Sequence, residues 1–245
     1  MPPAPRILTA GDSALVAEYG DAIDVRVNAR VRQLQRTLEA SGHAGLVELV
    51  PTYRSLMVHY DPMVLSHEAV AGLVLGAAGH LPEDFGESAR AVDIPVLYGG
   101  SEGPDLGDVA ARSGLREEEV VELHAAGDYL VFMIGFMPGF PYLGGLPHAI
   151  ATPRLATPRT LVPAGSVGIA GAQTGIYPSE SPGGWRLIGR TPVRLFDARV
   201  DPPALLQAGD HLRFVPVSRA DYDGIVREVE RDAYRPLVRA VPAGP

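Results

Sequence analysis

Residues 161–190 read LVPAGSVGIAGAQTGIYPSESPGGWRLIGR, and this stretch decides the fold of the second half of the chain. It lies in a 60-residue window, Met133 to Pro192, that holds 11 glycines and 9 prolines among short apolar segments such as SVGIAG and RLIG. Glycine and proline at that density break helices, and in a folded chain they mark tight turns and close backbone approaches. Because a flexible linker would lack the branched and aromatic residues, the pattern predicts short strands joined by tight turns.

The flanking sequence continues this pattern. Further strand-like segments are YLVFMIG, VRLFD and HLRFVPV, and TLVPAGSVGIAG covers the start of the central stretch. Regularly spaced short strands with Gly/Pro turns predict a barrel or a sandwich. After it we expect a helix over residues 218–231 and then a proline-containing terminus without regular structure.

The charge of the window is unusual for this protein. Four arginines and one glutamate, Glu180, give the window a charge of +3 inside a chain of net charge −8, which leaves −11 for the rest. An arginine-bearing, glycine-rich surface suits a small carboxylate or phosphate, which a guanidinium can bind with two hydrogen bonds. The alternative is that these arginines pair with acids from elsewhere in the fold.

The first third of the chain has a different pattern. Strand-like segments at 6–9, 14–19, 46–50 and 55–60 alternate with two helices, an amphipathic one over 24–39 capped by Asp24 and a very apolar one over 66–79. This order predicts a small α+β sandwich domain over residues 1–85. The acidic segment LPEDFGES, residues 81–88, is the expected linker to a barrel domain over residues 90–245, so the fold class is α+β.

Two short helical segments, residues 106–114 and 115–127, precede the barrel strands and loosely match a helix-turn-helix. The second segment carries four glutamates, residues 117, 118, 119 and 122, which would repel a phosphate backbone. We therefore expect a helical hairpin packed against a β domain and no binding to nucleic acid.

The composition excludes several kinds of chemistry. The chain has no cysteine, and all 21 of its basic residues are arginine, which excludes a thiolate zinc site, a cysteine nucleophile, a lysine Schiff base and a lysine-dependent phosphate loop. The histidines show no metal-ligand spacing, so no metal site is expected. No apolar run approaches a membrane span and the N-terminus lacks the apolar core of a signal peptide, so a cytoplasmic protein without membrane contact is the expectation.

The segments GFMPGFPYLGGLP (135–147) and PRLATPRTLVPAGSVGIAGAQTGIYPSESPGGWRLIGRTPVRLFD (153–197) closely resemble the KipI, or allophanate hydrolase subunit 1, family. The resemblance extends to GDSALVAEYG, PTYRSLMVHYDP and LHAAGDYLVFMIGF, and so covers most of the chain. It implies a cyclophilin-like β-barrel after a small α+β domain. Prolyl isomerase activity does not follow, because the likeness to cyclophilin is one of architecture.

The resemblance also implies an activity and partners. Family members work with a second subunit of related barrel architecture, the C-type or allophanate hydrolase subunit 2 type, and with a third, A-type subunit. Together they convert 5-oxoproline to glutamate using ATP, which would be shared with the partner subunits. Other members are inhibitors that dock on a sensor histidine kinase, and related domains act on other amides or urea derivatives. These two roles are the alternatives.

5-Oxoproline is a lactam with a carboxylate, so its hydrolysis needs cations for anionic groups, hydrogen-bond donors for developing charge and a proton-transfer group. Arg154 and Arg159, in PRLATPR, are the candidate anion-binding residues, with a salt bridge at the barrel rim as the alternative. His124, at a helix end, is the candidate proton shuttle, with a structural role as the alternative.

Further candidates lie in the central stretch. The GAQTGIYP turn offers polar groups for a small ligand, or serves only to form the turn. The SPGGW segment offers consecutive backbone donors for an anion nest, and its tryptophan suits the core better than ligand stacking. The candidate ligand-binding residues are Gln173, Thr174, Tyr177, Ser181, Gly183 and Gly184.

No nucleophile motif and no complete ATP-binding signature occurs in the sequence. We therefore expect the chain to be inactive alone and its site to be completed by a partner subunit. Apolar residues of the glycine-rich face form either a docking patch or part of the core. They are Phe136, Met137, Phe140, Tyr142 and Leu143.

Overall fold

The computed structural model of the protein describes residues 4–82 and 89–241, and these two ranges belong to two compact units. The first unit comprises β1 (Arg6–Thr9), β2 (Ala14–Glu18), α1 (Val25–Ser41), β3 (Leu46–Pro51), β4 (Ser55–Tyr60) and α2 (His67–Gly79). Most of the expected linker, and with it the domain boundary expected between residues 85 and 90, lies outside the described residues.

The first unit is an antiparallel sheet of order β1-β2-β4-β3 covered by two helices. Burial alternates along β4, which turns Leu56 and Val58 towards Leu34 of α1 and Val70 of α2. Helix α1 begins where expected, because the Asp24 carboxylate accepts hydrogen bonds from the backbone N–H groups of residues 26 and 27. This is the predicted α+β sandwich.

The second unit begins with β5 (Ala89–Tyr98), α3 (Leu106–Ser113), α4 (Glu117–Ala126), β6 (Tyr129–Ile134) and β7 (Pro141–Gly144). After a 3₁₀ turn at His148–Ile150 come β8 (Arg159–Val162), β9 (Ser166–Ala170), β10 (Gln173–Ile176), β11 (Ser181–Gly183) and β12 (Arg186–Arg190). The described part of the chain ends with β13 (His211–Pro216), α5 (Arg219–Glu230) and β14 (Val238–Val241).

Seven strands close into a barrel in the order β12-β9-β10-β7-β6-β13-β5, and pairing of β12 with β5 completes the ring. The long strand β5 makes closure possible, because its second half pairs with β12 while its first half pairs with β14. Gly189 is needed at the seam, the place where β12 pairs with β5, since a Cβ there would lie 2.7 Å from a methyl carbon of Val96. The α+β class with a barrel is therefore confirmed.

Strands β8 and β11 form a separate two-stranded antiparallel ribbon outside the barrel ring, here called the outer ribbon, and β9 and β10 lie between them in the sequence. The sequence pattern predicted TLVPAGSVGIAG as one strand, but the chain turns between β8 and β9. Gly165 makes this turn with a φ of 81°, and a Cβ at that position would lie 2.1 Å from the carbonyl oxygen of Thr191.

The helical hairpin α3–α4 packs on the barrel, with Val109 and Val120 fully buried in the barrel core, as the sequence predicted. Two other predictions were wrong. The segment VRLFD (193–197) forms no strand, although Val193 and Leu195 are buried, because within the described ranges its backbone makes an isolated bridge from Phe196 to Ala204 and no continuous ladder. The region expected to be an irregular terminus contains β14, which pairs with β5.

No helix within residues 4–82 and 89–241 combines the length and the apolar character that crossing a membrane requires.

Candidate functional site

Most arginines of the glycine-rich window are paired with acids of the segment 101–108, which precedes and begins α3. Arg159 contacts Asp105, with Nη2 to Oδ1 at 2.7 Å. The further pairs are Arg186 with Asp108 and Arg190 with Glu102. The positive charge of the window is thus largely neutralised by the helical hairpin, which was the alternative interpretation of these residues.

Asp105 was not predicted from the sequence, and it holds the hairpin and the barrel together. Its side chain is buried, one oxygen accepts from Arg159, and the other accepts from the backbone N–H of Leu187 at 2.6 Å. The backbone N–H of Asp105 in turn donates to the Leu187 carbonyl at 2.8 Å. No motif marks such a residue, because its partners lie 54 and 82 positions away.

Arg154 differs from the other three arginines. Its side chain is exposed, and none of the carboxylates in the described ranges forms an ion pair with it. Its loop is fixed to the end of the outer ribbon, since the backbone N–H of Leu155 donates to the carbonyl of Gly184, the residue after β11, at 2.8 Å. Arg154 is therefore a cation on an anchored loop, available to an anion from solution.

Tyr177 lies close enough to both candidate anion-binding arginines for their charges to act on its hydroxyl. Its side chain is buried, and burial raises the pKa of its hydroxyl. A hydrogen bond from the backbone of Trp185 and the nearby charges of Arg154 and Arg159 act in the opposite direction on that pKa. The structure thus brings Arg154, Arg159 and Tyr177 together, and we call this surface, with Gly183 and Gly184, the arginine face.

The glycine-rich segment of the arginine face is not the predicted anion nest. Ser181 and Gly183 belong to β11, where Ser181 pairs with Val162 and Gly183 pairs with Arg159. A nest needs consecutive N–H groups on a cupped backbone, whereas this part of the segment is an extended strand and Pro182, between the two residues, has no N–H. Gly183 has a packing role, since a Cβ there would lie 2.4 Å from the Tyr177 hydroxyl.

A cavity of about 150 Å³ opens beside Arg159. Glu102, Leu161, Leu187 and Arg190 also line it, so it combines apolar walls with charges of both signs. Its size and position suit one small polar group next to the arginine face.

His124 lies inside the barrel and not beside the arginine face. It is fully buried, and the pKa of its imidazole is lowered to about 3 by burial. The Thr174 hydroxyl donates to the carbonyl of Gly168 at 3.0 Å and therefore accepts from His124 Nε2 at 2.9 Å. His124 Nδ1 then accepts from the Tyr98 hydroxyl at 2.7 Å.

This hydrogen-bonded chain corrects two expectations. A neutral, enclosed imidazole with both nitrogens bonded to buried hydroxyls is a structural residue, so His124 is not placed to shuttle protons to a ligand on the arginine face. Thr174 is fully buried and belongs to the same row of hydrogen bonds, so its hydroxyl does not reach such a ligand either.

Gln173 is also separated from the arginine face. Residues 173–176 form the strand β10 and not the expected turn, which lies at Gly171 with a φ of 59°. Gln173 and Tyr177 are four positions apart along an extended backbone, which corresponds to a separation of about 13 Å. The period of two places Thr174 on the opposite side of the strand from Gln173 and Tyr177.

The aromatic residues of the window divide into buried and exposed ones. Phe140, Tyr177 and Trp185 pack edge to face in a second apolar cluster under the outer ribbon, so the tryptophan belongs to the core, as preferred from the sequence. Leu143 is fully buried in the main core. In the proposed docking patch, Phe136 is 66% exposed, and Met137 and Tyr142 are half-buried.

A second, larger cavity of about 460 Å³ lies elsewhere, between residues 193–205 and 229–236. Its charged rim is largely paired within itself, Arg199 with Asp197 and Arg194 with Asp232. None of the residues predicted for the site lines it. In the ranges 4–82 and 89–241, no three histidine, aspartate or glutamate side chains are arranged to hold a metal ion.

Comparison with known proteins shows close relatives. Residues 5–206 match the family Carboxyltransferase domain, subdomain C and D. The chain is 44% identical to the B subunit of 5-oxoprolinase from Bacillus subtilis over 89% of its own length and 95% of that protein. It is 45% identical to the corresponding 5-oxoprolinase B subunit of Escherichia coli over 86% of its length and 95% of that protein.

Solved structures agree with this relationship. TTHA0988 matches with a TM-score of 0.75 and 40% identity over 84% of this chain, which spans 40% of that longer protein. The urea amidolyase of Kluyveromyces lactis matches with a TM-score of 0.82 over 97% of this chain, but at 21% identity it shows the fold alone. The chain therefore belongs to the family of carboxyltransferase domains, subdomains C and D, and within it to the group of 5-oxoprolinase B subunits.

Proposed function

We propose that this protein is the B-type component of an ATP-dependent 5-oxoprolinase, which opens the lactam of 5-oxoproline to give glutamate together with companion subunits. The observation that carries the proposal is the identity of 44–45% to 5-oxoprolinase B subunits from three bacteria, over at least 85% of this chain. The companions we propose are a C-type barrel protein and an A-type protein.

The role we propose for this chain is to bind the carboxylate of 5-oxoproline at the arginine face. Arg154 is exposed and has no carboxylate partner in the described ranges, so a substrate carboxylate does not have to displace an internal one. Arg159 is held by Asp105 at 2.7 Å and shares its charge with that acid, which makes it the secondary cation. A charge-assisted hydrogen bond of this kind contributes about 1.5–3 kcal/mol.

The arginine face does not fit a nucleoside triphosphate. A triphosphate carries several negative charges, whereas this face offers one arginine without an acidic partner in the described ranges and one that is paired. The chain also has no lysine for a phosphate loop. We therefore propose that ATP binds to the assembled complex and not to the arginine face of this chain alone.

The chemistry also requires groups from outside this chain. The described residues around the arginine face provide cations and the buried hydroxyl of Tyr177, while His124 is enclosed in the barrel. A proton-transfer group and the groups that activate the lactam would come from the companion subunits. Because these groups lie on other subunits, we expect this subunit to be inactive alone.

A reconstitution assay tests the proposal. Purified A-type and C-type subunits are mixed with ATP and 5-oxoproline, with or without this chain, and glutamate release is measured. We expect release only when all three proteins are present. Glutamate formation at the same rate without this chain, or none with the complete set, contradicts the proposed function.

A further inference from the structure

Ser166 carries a buried hydroxyl whose hydrogen-bonding capacity the fold does not use. The residue is 2% exposed, its backbone N–H donates to the carbonyl of Pro163 at 3.2 Å, and its carbonyl accepts from the backbone N–H of Tyr177 at 2.9 Å. Its Oγ, by contrast, forms no hydrogen bond with any group of residues 4–82 and 89–241. Buried hydroxyls in proteins almost always have a partner, so this one marks a place where a polar ligand can bind.

The hydroxyl belongs to the cavity of about 150 Å³ that opens beside Arg159. Ser166 begins β9, and the alternation along this strand turns Val167 into the barrel core and Ser166 outwards, where it lines the cavity. The outer ribbon supplies Arg159 and Leu161 to the same cavity. A buried hydroxyl without a partner in the described ranges and a cavity therefore coincide at one place.

Glu102 gives the cavity a second hydrogen-bonding group. Its side chain is 14% exposed and lines the cavity. Its Oε1 accepts from Ser101 at 3.1 Å and from Arg219 at 3.2 Å, whereas the ion-pair contact of Oε2 in the described part of the chain is with Arg190 at 3.5 Å. Because this contact is longer than a normal hydrogen bond, Oε2 can accept a further one from a ligand.

The lining suits an uncharged polar ring better than an ion. The charge of Arg190 is offset by Glu102. That of Arg159 is offset by Asp105 at 2.7 Å, so the cavity has little net charge to attract an anion. Apolar walls, among them Leu187, suit methylene groups, and the volume corresponds to about five water molecules. A small cyclic amide, with one N–H, one carbonyl and a few methylene groups, matches this lining.

We infer that this cavity holds the lactam ring of 5-oxoproline, with the Ser166 hydroxyl donating to the ring carbonyl and Glu102 Oε2 accepting from the ring N–H. An ionised carboxylate can only accept, which leaves the carbonyl of the ring to the hydroxyl. Arg159 lines the cavity and also belongs to the arginine face, so the ring and the carboxylate of one molecule can occupy adjoining surfaces. The choice of 5-oxoproline among small cyclic amides rests on the proposed function.

Binding to the purified full-length chain tests this inference. The variant is Ser166→Ala, and the control is Ser179→Ala, which changes an exposed serine of the same window outside the cavity lining. The probes are 5-oxoproline and 2-pyrrolidone, which has the same ring without the carboxylate. We would determine the dissociation constant of each probe by ligand-observed NMR titration, and the thermal midpoint of each variant.

We expect Ser166→Ala to keep or raise the thermal midpoint, because its hydroxyl has no partner in the described ranges to lose, and to bind both probes at least about fivefold more weakly. Ser179→Ala should bind both as the wild type does. Unchanged binding in Ser166→Ala overturns the inference, as does the absence of binding of either probe to the wild type. A lower thermal midpoint also overturns it, since the hydroxyl would then serve the fold. An effect on 5-oxoproline alone does so too, because the hydroxyl would then contact the carboxylate.

The same variant in the three-subunit complex separates this inference from the proposed function. Binding that depends on Ser166, without glutamate formation by the complete complex, would contradict the proposed function alone. Glutamate formation by the Ser166→Ala complex with the wild-type KM for 5-oxoproline would contradict the inference alone.

Discussion

The carboxylate of Asp105 joins the helical hairpin to the barrel through one bond to Arg159 and one to the backbone N–H of Leu187. Asp105→Ala leaves both donors without their partner. Breaking a buried ion pair costs about 3–5 kcal/mol. Because the Arg159 side chain is 29% exposed and regains water, we expect a loss of only about 2 kcal/mol in the free energy of unfolding, measured by urea denaturation.

Asp223→Ala is the matched control for this change. Asp223 is an acid with a half-exposed side chain in a loose pair with Arg219 at 3.8 Å, and such pairs contribute little. If both substitutions had the same small effect, Asp105 would not be the link between the hairpin and the barrel.

His124 makes the stability of the protein depend on pH. In the folded protein its pKa is about 3, whereas in the unfolded chain it returns to about 6.5. Between these values the unfolded state binds more protons than the native state, so the free energy of unfolding falls as the pH falls. The slope from this group is at most about 1.4 kcal/mol per pH unit.

We therefore expect His124→Gln to flatten the dependence of unfolding free energy on pH between pH 6 and pH 4, measured by urea denaturation at each pH. His43→Gln, which changes an exposed histidine, should leave the slope as it is. An unchanged slope in His124→Gln would show that the imidazole is not buried in its neutral form.

The sequence identified which residues carry charge at the site, but not which of them are paired. The +3 charge of the window drew attention to Arg154 and Arg159. Only the fold shows that Arg159 has a partner in Asp105, because pairing depends on contacts between positions distant in sequence. His124 failed as a surface candidate for the same reason, since nothing local reveals that its helix turns it into the barrel.

At the level of elements, the outer ribbon sets the shape of the arginine face. β11 crosses directly over Tyr177, so Gly183→Ala brings a methyl group to 2.4 Å from the tyrosine hydroxyl. A rigid ring held among Phe140 and Trp185 cannot move aside freely. We expect a loss of about 1–3 kcal/mol in the free energy of unfolding, the usual cost of overpacking, measured by chemical denaturation.

Gly184→Ala, one position further, is the control. A Cβ at Gly184 would lie 3.6 Å from a side-chain carbon of Pro158, an ordinary contact, so we expect little change. Equal stability of the two variants would mean that β11 does not rest on Tyr177.

The elements were the part of the fold that sequence predicted best. Alternation along β4 and the cap at Asp24 are local signals, so the helices and strands of the first unit were predicted correctly. β14 was missed because its pairing with β5, a strand far earlier in the chain, decides its conformation. VRLFD was wrongly predicted as a strand because its apolar residues serve the core from an irregular backbone.

At the scale of the whole molecule, the resemblance of the glycine-rich window implied a barrel, and the structure closes seven strands into one. The same density of glycine and proline that excludes helices allows the seam at Gly189 and the turn at Gly165. The sequence also indicated a subunit that depends on partners. The names of its relatives as B subunits imply partner subunits, and under the proposed function the exposed Arg154 and the enclosed His124 leave the proton-transfer group to come from them.

The most direct test is the steady-state kinetics of the reconstituted three-subunit complex with Arg154→Gln in this chain. Loss of a charge-assisted hydrogen bond predicts a fall of about 10- to 100-fold in kcat/KM for 5-oxoproline, with assembly intact. Arg112→Gln, which removes an exposed arginine of α3 paired within its own helix, should leave kcat/KM unchanged. Wild-type kcat/KM in Arg154→Gln would contradict the assignment of the arginine face as the site of the substrate carboxylate.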